Sequence, residues 1–458
     1  MGFLSFAIKD RKPLLVNIGY ITVILFMFLF VLYSIPVLHL QNGKEYYTVI
    51  GRWNKAMGIE LKYNIKNAFV ILFLFAITIA FLSSVLNGKI NHEFRSFVFI
   101  MLSGANGLTL TNDIFNSYVF FEVVCITSYI MYGYGNNADC LKNTYNYMIL
   151  SGFVGVLFLI CIGFLYQITD NLNIDLIKFG LKGNFNNKSV NAIFILFIIA
   201  MMFKIGVYPL HNILSEIYKN LPTKYLIFTA GISSIAYPYF ILKMTTNLFG
   251  NEAILNNDYL CVTLKIFGGI GFIFFNITAL AVKNVLHFII MLSFAQTSLF
   301  AFCIPFLTEK QTINGIIFTI TSNGIIKVCL LAILYKIQEQ TDMLEIKKTD
   351  ISSISCLSYK FLFVILLFFA AGMPFSLVFM AKWFLLIGIF SSSANIIWLI
   401  ILITGFTIDI FACFLFMKQI LMKKEKVLEV KADYWTICAV IFVIFVLVSS
   451  AFFTGSFR

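Results

Sequence analysis

The sequence predicts an all-α polytopic membrane protein of about 13 transmembrane helices, built as two inverted repeats that each contain a proline-broken helix. Of the 458 residues, 60% are hydrophobic and only 12% are charged, which leaves too few polar side chains to cover a water-soluble fold. Apolar runs of roughly 20 residues, the length that crosses about 30 Å of hydrocarbon as a helix, recur along the whole chain. Strict alternation of apolar and polar residues is absent, which argues against a membrane barrel.

The apolar runs define the predicted spans and a division of the chain into four segments. The spans are predicted at residues 14–37, 66–87, 95–111, 113–134, 143–167, 190–212, 224–247, 259–281, 284–307, 312–337, 358–387, 393–418 and 433–455. The segments are N-terminal helices in 1–94, a first repeat in 95–250, a second repeat in 251–421 and a C-terminal helix in 422–458.

Two spans contain a proline close to an ionisable residue. One reads FKIGVYPLHN, with Lys204 and Pro209, and the other reads AAGMPFSLVFMAKW, with Pro374 and Lys382. Because proline removes one helical hydrogen bond and blocks another, it leaves carbonyls that membrane helices tolerate only beside protein or water. Broken helices in corresponding halves are typical of internal repeats with ion sites near the middle of the bilayer. No repeat is visible by residue identity, so this pattern alone predicts it.

The formal net charge of +12 comes from lysines and arginines in short loops between the spans. This distribution is typical of membrane topology, and we expect no nucleic-acid partner. Basic residues precede both the first and the last predicted span, namely Lys9, Arg11 and Lys12, and Lys418, Lys423, Lys424, Lys426 and Lys431. We therefore expect a multi-pass protein of the cell inner (plasma) membrane with a cytoplasmic N-terminus and an external C-terminus. The 39–65 loop fits this orientation less well, because it would be external and carries Lys44, Arg52, Lys55 and Lys62.

Cysteine and histidine usage predicts no bound cofactor or metal. The nine cysteines are scattered singly, mostly inside apolar runs, with no CxxC pair, and there are only four histidines. Iron–sulfur, haem and zinc sites need clustered ligands at characteristic spacings. The cysteines are therefore expected to act as small buried apolar residues, and no redox or covalent catalysis is expected in this chain.

Four ionisable residues lie well inside long apolar runs: Glu122, Lys204, Lys327 and Lys382. A charge in the hydrocarbon layer costs at least about 2.5–3.5 kcal/mol on insertion scales, so it usually faces the protein interior and belongs to an ion pathway. Each residue by itself could instead be a structural charge or a lysine that snorkels to the interface. Four together, two of them beside helix breaks, favour a proton relay.

Other polar residues are candidates for the same pathway. Asp409, in ILITGFTIDIFACF, lies about two turns from the cytoplasmic end of its predicted span. His211 follows the break at Pro209 and could accept or pass a proton. Lys243 and Lys265 lie near span ends, where we expect their ammonium groups to snorkel to the interface.

Five stretches carry recognisable motifs, and together they cover most of residues 52–390. They read GIELKYNIKNAFVILFLF, LTNDIFNSYVFFEVVCITSY, ITDNLNIDLI, FKIGVYPLHNIL and GMPFSLVFMAKWFLL. These stretches resemble the proton-translocating, antiporter-like membrane subunits shared by respiratory complex I and Mrp-type cation/proton antiporters. The resemblance is greatest to the D-type subunit of the Mrp antiporters, and its most specific motif is the second stretch.

This resemblance implies a role for each buried charge. Glu122 would be the motif glutamate, and Lys204 would be its lysine partner on the first broken helix, so that their pairing modulates proton affinity. Lys327 would be the central lysine of the second half-channel. Lys382 would be the lysine of the second broken helix, toward the external exit.

The chain departs from the family pattern at three places. The family usually has a lysine between these groups where this chain reads AGISSIAYPY, so that Ser233, Ser234 and Tyr237 would line a water-bridged gap. Asn323 stands where the family has a histidine one turn before the central lysine. One of the usual core spans is missing before the second motif.

The primary hypothesis is a proton-conducting membrane subunit of a multisubunit monovalent cation/proton antiporter, similar to the D-type subunit of Mrp antiporters. Its partners would be other antiporter-type membrane subunits in a hetero-oligomer, protons and Na⁺ or K⁺, and the lipid bilayer, with no cofactor. One alternative is a proton-pumping membrane-arm subunit of an NADH:quinone oxidoreductase-like complex, which would make the chain a translocase subunit. Another is a degenerate structural membrane subunit.

Overall fold

The computed structural model describes residues 13–40, 45–55, 58–85, 92–135, 138–182, 188–343, 345–392, 396–422 and 428–452. These residues form 18 α-helices and one two-stranded hairpin. The helices before the second half of the chain are α1 (Pro13–Leu40), α2 (Ile65–Ser84), α3 (His92–Leu110), α4 (Ile114–Tyr132), α5 (Ala138–Thr169), α6 (Ile174–Leu181), α7 (Lys188–Ile205), α8 (Asn212–Asn220), α9 (Thr223–Lys243) and α10 (Gly250–Leu255). The remaining helices are α11 (Asp258–Ala281), α12 (Val285–Cys303), α13 (Lys310–Thr341), α14 (Lys348–Ile351), α15 (Leu357–Ala370), α16 (Leu377–Ser391), α17 (Ile396–Leu421) and α18 (Tyr434–Phe452). The strands are β1 (Tyr46–Val49) and β2 (Glu60–Tyr63), and a π-helical turn, Met244–Phe249, joins α9 to α10.

Every predicted span overlaps one or two of these helices. Eleven described helices are long and apolar enough to cross a membrane. The run predicted at 358–387 is two shorter apolar helices, α15 and α16, and the run predicted at 190–212 ends as α7 at Ile205. The chain is therefore a multi-pass, nearly all-helical membrane protein. The hairpin β1–β2 was not predicted, because its strands are too short to show a periodic pattern.

Both predicted breaks have the same backbone geometry. A glycine with positive φ follows the helix before each break within two residues, and its φ is +71° at Gly206 and +79° at Gly372. The N–H of the residue after each glycine donates a hydrogen bond to the carbonyl of the residue five positions before it in the chain. These bonds are Val207 N to Met202 O at 3.2 Å and Met373 N to Phe368 O at 3.4 Å. This is the glycine-terminated helix end in which only a residue without Cβ adopts the left-handed conformation at low cost. Pro209 and Pro374 follow within three residues, and α8 or α16 then begins.

A matching backbone connection occurs before each broken helix. Asp113 forms an isolated antiparallel bridge with Asn173, and Asn284 forms one with Lys347. Two backbone hydrogen bonds flank each bridge in the same arrangement. In the first connection they run from Ile114 N to Leu172 O and from Ile174 N to Asn112 O, both at 2.9 Å. In the second they run from Val285 N to Ile346 O at 2.9 Å and from Lys348 N to Lys283 O at 2.8 Å. In both connections the later segment comes after a helix of 32 residues, which is α5 in the first and α13 in the second. The residue directly after each of these helices is an aspartate with positive φ. These correspondences support two repeats at 95–250 and 251–421, whose boundaries stay a prediction.

The core of the bundle is formed by α9, α12 and α13. Residues of α9 are buried along its whole length, and those of α12 and α13 are buried along almost all of theirs. In the helices α1, α5, α17 and α18, less than half of the residues in the membrane-spanning stretch are buried inside the bundle. Polar side chains on the three central helices are therefore shielded from the hydrocarbon and can form an internal site.

A buried carboxylate ties the hairpin to two of the motif stretches. Glu60 on β2 accepts hydrogen bonds from Asn112 at 2.8 Å and from Asn173 at 2.7 Å, and its other oxygen lies 2.9 Å from Lys55 Nζ. Burial alone would raise the pKa of Glu60, but the bonds from the two asparagines and Lys55 outweigh it and hold that pKa below its usual value. The cluster joins the segments GIEL, LTND and LNIDL, which are far apart in sequence.

Replacing Glu60 by glutamine is expected to lower thermal stability at neutral pH, because hydrogen bonds to a charged acceptor contribute about 1.5–3 kcal/mol. A depressed folded-state pKa means that this stabilisation is complete above the unfolded-state value of about 4.3 and is lost as the pH falls through the lower folded-state value. Thermal unfolding of wild type and Glu60→Gln across a pH series should show a gap that closes in acid. A gap of constant size would contradict this account.

Acidic partners neutralise part of the basic charge in the 39–65 loop. Lys55 pairs with Glu60, and Lys62 lies 2.7 Å from a Glu45 oxygen and 3.9 Å from an Asp175 oxygen. The topology rule counts basic residues and is little affected by acidic ones, so these ion pairs leave the loop's disagreement with the predicted orientation as it is. The residues Lys9, Arg11, Lys12, Lys44, Lys423, Lys424 and Lys426 lie outside the described part of the chain, and the orientation stays a prediction.

The prediction that Lys243 snorkels to the interface is wrong. Its side chain is buried, and Nζ donates hydrogen bonds to the carbonyls of Leu108 at 3.4 Å, Thr109 at 2.9 Å and Thr111. These carbonyls lie at the C-terminal end of α3, where a helix leaves acceptors unpaired and carries partial negative charge. The position of a lysine near a span end therefore did not distinguish an interfacial ammonium from one that caps a neighbouring helix.

Candidate functional site

Lys204 lies in the last turn of α7, two residues before the break at Gly206. Its side chain is only 1% exposed. Nζ donates a hydrogen bond to the hydroxyl of Ser151 on α5 and lies 3.5 Å from the hydroxyl of Tyr129 on α4, which itself donates to Ser151 at 2.5 Å. The broken helix thus positions the ammonium against two hydroxyl oxygens.

Aromatic rings enclose the same ammonium. Lys204 Nζ lies 4.9–5.5 Å from the ring centres of Phe121, Tyr129, Tyr147 and Tyr237. The negative faces of aromatic rings attract a cation, and this attraction is worth about 2 kcal/mol or more for a desolvated pair. Because no carboxylate in the described residues forms an ion pair with Lys204, these rings and hydroxyls supply its main electrostatic support.

Glu122 lies on α4 beside the first site but does not contact Lys204 directly. It is half-buried, and Lys204 is the cation that acts on it electrostatically. Its neighbours on the same helix face, Val119 and Ile126, are 43% and 51% exposed. Its Oε1 rests against Gly155 on α5, where an added Cβ would overlap this oxygen. The glycine therefore provides the space that lets the carboxylate lie between α4 and α5.

Substituting Gly155 by alanine is expected to displace the Glu122 carboxylate, because the new methyl group would occupy the position of Oε1. If Glu122 belongs to the proton pathway predicted from the sequence, proton transfer should slow although no polar group is removed. Gly152→Ala is a matched control one turn earlier on α5, since an added Cβ there meets nothing within 4 Å. Proton flux into membrane vesicles containing each variant would be compared. Equal flux in the two variants would show that the position of Glu122 does not matter.

Lys327 lies near the middle of α13, at the centre of the bundle. It is buried, and Nζ donates a hydrogen bond of 3.3 Å to the carbonyl of Ala230 on α9. No ion pair involving Lys327 is found in the described ranges. This lysine is held far more loosely than Lys204, which favours movement of its ammonium group within the space around it.

Lys382 on α16 forms a buried ion pair with Asp409 on α17. The distance from Nζ to Asp409 Oδ2 is 2.7 Å, and Nζ also donates a hydrogen bond of 2.9 Å to the carbonyl of Ala371 in the second break. Gly372 gives this side chain room, because an added Cβ would lie 3.0–3.2 Å from three Lys382 atoms. The second break and the second lysine thus form one unit, in which Asp409 has a defined partner.

One internal cavity connects the first lysine to the central lysine. It has a volume of about 20 Å³ and contacts both Lys204 and Lys327. Its polar lining also comprises Tyr132, Tyr147, Tyr218, Ser233, Ser234, Tyr237, Ser293 and Thr297. Since a water needs about 10–15 Å³, the cavity has room for about one water. The predicted lining by Ser233, Ser234 and Tyr237 coincides with this cavity.

A second cavity connects the central lysine to the ion pair. It has a volume of about 40 Å³, which is room for about three waters, and contacts Lys327, Lys382 and Asp409. Its other polar lining is Gln296, Thr319, Ser322 and Asn323. Of the residues that line these two cavities, only Lys327 belongs to both.

The remaining candidates differ in their placement. His211 lines neither of these cavities, and its ring packs edge-on against Phe275 at 4.6 Å between centres. Pro209 and Pro374 lie in the breaks, as predicted from the sequence. Sequence reasoning missed the hydroxyl residues Ser151, Ser293, Thr297, Thr319 and Ser322, and the aromatic residues Tyr129, Tyr132, Tyr147 and Tyr218. Serine and threonine usually bond their own helix backbone, so their presence in an apolar run signals no site.

Residues 111–407 match the family described as NADH:quinone oxidoreductase/Mrp antiporter, transmembrane. The chain belongs to this family. The family resemblance predicted from the motifs is thereby confirmed, and Glu122, Lys204, Lys327 and Lys382 all lie in the matched region of this family member. Asp409 lies just beyond it.

Individual relatives of this family member differ in the assembly named for them. The D-type subunit of a Na⁺/H⁺ antiporter from Alkalihalophilus pseudofirmus is 27% identical over 218 residues, which are 46% of this chain and 44% of that relative. The match therefore spans less than half of that relative's length. The N-type subunit of the NADH-quinone oxidoreductase from Desulforudis audaxviator is 22% identical over 369 residues, 78% of this chain and 71% of that relative.

The fold of this family member also occurs in a solved respiratory assembly. A chain of the membrane-bound sulfane sulfur reductase, an archaeal respiratory membrane complex, superposes with a TM-score of 0.85 at 17% identity. The superposition covers 100% of this chain and 93% of the other. At this identity the likeness shows a common fold alone.

Proposed function

We propose that this chain is a proton-conducting membrane subunit of a multisubunit monovalent cation/proton antiporter similar to the Mrp type. The observation that carries the proposal is the pair of cavities that meet at Lys327, one shared with Lys204 and the other with Lys382 and Asp409. Buried side chains that can bind a proton, separated by spaces large enough for water, are what a proton relay requires.

In the first half of the path, a proton passes from Lys204 through a water to Lys327. Ser233, Ser234 and Tyr237 hydrogen-bond that water and replace the lysine that the family usually has between the two. Glu122 modulates the proton affinity of Lys204 through the field of its carboxylate, since the two groups interact electrostatically without an ion pair.

In the second half, the proton passes from Lys327 to Lys382 through the larger cavity. Asn323 and Gln296 hydrogen-bond the intervening waters, and Asp409 stabilises the protonated form of Lys382 at 2.7 Å. His211 has a separate position in the first break and would act only at the entrance of the path. The chain needs no cofactor for these steps, because each one is a proton transfer between side chains and water.

The names of the relatives support partners of the same kind. Since these relatives are subunits, we propose that this chain works in a hetero-oligomer with other antiporter-type membrane subunits, in the plasma membrane, with its N-terminus in the cytoplasm and its C-terminus outside. The exposed apolar faces of α4 and α5 are surfaces for lipid or for such neighbours. The exchanged ions would be protons and Na⁺ or K⁺.

A second candidate function is a proton-pumping membrane-arm subunit of an NADH:quinone oxidoreductase-like complex. The oxidoreductase relative favours it, because that relative aligns with 78% of the chain whereas the antiporter relative aligns with 46%. A pull-down from native membranes separates the two. Iron–sulfur and quinone-reducing companions would favour the oxidoreductase, and antiporter-type subunits without redox proteins would favour the exchanger. The third reading, a degenerate structural subunit, predicts no effect of the pathway variants on proton movement.

The proposal is tested by comparing Lys204→Ala with Lys219→Ala in membrane vesicles that contain the complete complex. Lys219 is an exposed lysine on α8, on the other side of the first break. Alanine at 204 removes the first relay group, and proton exchange should fall by about 100-fold, the lower range for loss of a positioned proton-transfer group. Alanine at 219 should leave it unchanged. Normal exchange in Lys204→Ala would overturn the proposal.

A further inference from the structure

We propose that a lateral groove between α15 and α17 binds one anionic phospholipid, with its phosphate at Lys360 and an acyl chain along Phe361 and Val364. The groove has a volume of about 690 Å³, within the range of about 300–1,000 Å³ that is typical of ligand sites. It shares no lining residue with the two cavities that meet at Lys327. The inference therefore goes beyond the proposed function and does not depend on it.

The walls of the groove are the ends of two helices that pack against each other. α15 contributes Leu357, Phe361 and Val364 from its first two turns, and α17 contributes Leu421, its last residue. Between Leu357 and Val364 the helix rises by about 10 Å. The groove therefore extends from the membrane edge into the hydrocarbon layer.

A short loop closes the polar end of the groove, and the segment that precedes α18 holds it in place. Ser355 N donates to Leu428 O at 2.8 Å, and Leu428 N donates to Ser353 O at 2.7 Å. Ser355 Oγ also accepts a hydrogen bond from Val430 N at 2.8 Å. Because the protein's own backbone fixes this loop, a ligand need not order it, which lowers the entropic cost of binding.

The polar end of the groove carries positive charge. Lys360 lines it and donates one hydrogen bond from Nζ, to the carbonyl of Ser352 at 2.7 Å. An ammonium group has three donors, so two remain for a ligand. Lys418, an exposed lysine one turn before Leu421 on α17, adds a second charge at the same end. Among the described residues no ion pair forms with either lysine, and no carboxylate lines the groove, since Glu429 is exposed outside it.

The N-terminus of α15 adds to the field of the two lysines. Cys356, which precedes this helix, makes no side-chain hydrogen bond to its first turn. The first N–H groups of a helix have no helical partner, and the partial positive charge there favours an anion. The helix thus contributes to the attraction of a phosphate that Lys360 binds directly.

The combination of positive charge and exposed apolar surface indicates a lipid. Leu357 is 78% exposed and Phe361 is 64% exposed, on a helix that lies in the membrane. A free phosphate would leave these side chains uncovered, and an irregular protein segment would bring unpaired backbone groups into the hydrocarbon. A phospholipid satisfies both parts of the groove, with its phosphate at the lysine and its acyl chain on the apolar wall.

Charge selects an anionic headgroup over a zwitterionic one. The ammonium of phosphatidylethanolamine would be repelled by Lys360 and Lys418, whereas phosphatidylglycerol carries only the negative charge of its phosphate. In the orientation predicted from the sequence, this end of α17 faces the cytoplasm. Anionic lipids of the cytoplasmic leaflet attract basic residues at the membrane surface.

The test is photolabelling of the purified complete complex by phosphatidylglycerol with a diazirine on its acyl chain. Mass spectrometry of digested wild type should find adducts on the peptides that contain Phe361 and Leu421. Unlabelled phosphatidylglycerol should displace the label, and phosphatidylethanolamine with the same chains should not. One basic residue near the surface contributes about fivefold to the binding of anionic lipid. Lys360→Met should therefore need about fivefold more lipid for half-maximal labelling, and the charge reversal Lys360→Glu about 25-fold more.

Two further variants separate the groove from lipid contact in general. Val364→Trp fills the groove without changing its charge and should abolish the adducts although Lys360 is intact. Lys219→Met removes an exposed lysine on α8, outside the groove, and should be labelled as wild type is. Thermal unfolding of each variant would verify that it is folded.

Three outcomes would overturn the inference. Equal displacement by the two lipids, or unchanged labelling in Lys360→Glu, would show lipid contact without a site for an anion. Absence of these adducts in wild type would show that something other than lipid covers the groove. Each of these outcomes leaves the proposed function standing, because proton exchange in Lys204→Ala is measured separately.

Discussion

Proton exchange in the Lys327→Met variant is expected to fall by about two orders of magnitude without loss of protein stability. Lys327 is the residue shared by the two cavities, so its removal would interrupt the proposed path between Lys204 and Lys382. A positioned group that transfers a proton contributes about 10²–10⁴-fold to rate, which sets the expected size of the loss. The polar contact of Lys327 is one hydrogen bond of 3.3 Å. Methionine is similar in length and carries no charge to desolvate, so it should replace Lys327 with little loss of folding free energy.

Lys336→Met on the same helix is the matched control and should show the opposite pattern. Lys336 is buried and pairs with Glu339 at 2.8 Å and with Asp433 at 3.4 Å, away from both cavities. Its removal should lower the thermal unfolding temperature and leave the rate of proton exchange per folded complex unchanged. Both quantities would be measured on the same preparations. Normal exchange in Lys327→Met would exclude a path through the centre of the bundle.

The Asp409→Ala variant is expected to lose about 3–5 kcal/mol of stability, because it leaves the ammonium of Lys382 buried without a counter-charge. The remaining contact is the hydrogen bond to the carbonyl of Ala371. Removing both charges is a different case, since replacing a buried ion pair by uncharged groups of similar size is often neutral or stabilising. Lys382→Met/Asp409→Asn should therefore be more stable than Asp409→Ala.

A double-mutant cycle on this pair would use Lys382→Met, Asp409→Asn and their combination. The unfolding free energies of the four proteins give the coupling between the two side chains. We expect a coupling of at least about 1.5 kcal/mol, in the range measured for close charge pairs. Additive effects of the two substitutions would mean that the contact at 2.7 Å contributes nothing to stability, which would contradict a paired, buried carboxylate.

The sequence alone predicted the spans, the two breaks and the buried charges. A membrane span is recognised by the number of consecutive apolar residues, a local property set by bilayer thickness, and each of the predicted runs overlaps a helix. A break is equally local, because Gly206 and Gly372 end their helices through their own backbone conformation. The four charges could be identified because each one contrasts with an apolar surrounding.

The tertiary structure decided what each charge contacts. Asp409 and Lys382 come from different helices, and nothing in either run indicates that their side chains meet. Lys243 was expected at the interface, yet it caps the end of a helix more than a hundred residues away in sequence. The aromatic rings around Lys204 likewise come from four separate positions. Hydropathy reports only the environment of a segment, whereas these contacts depend on the relative placement of helices, which packing across the whole bundle determines.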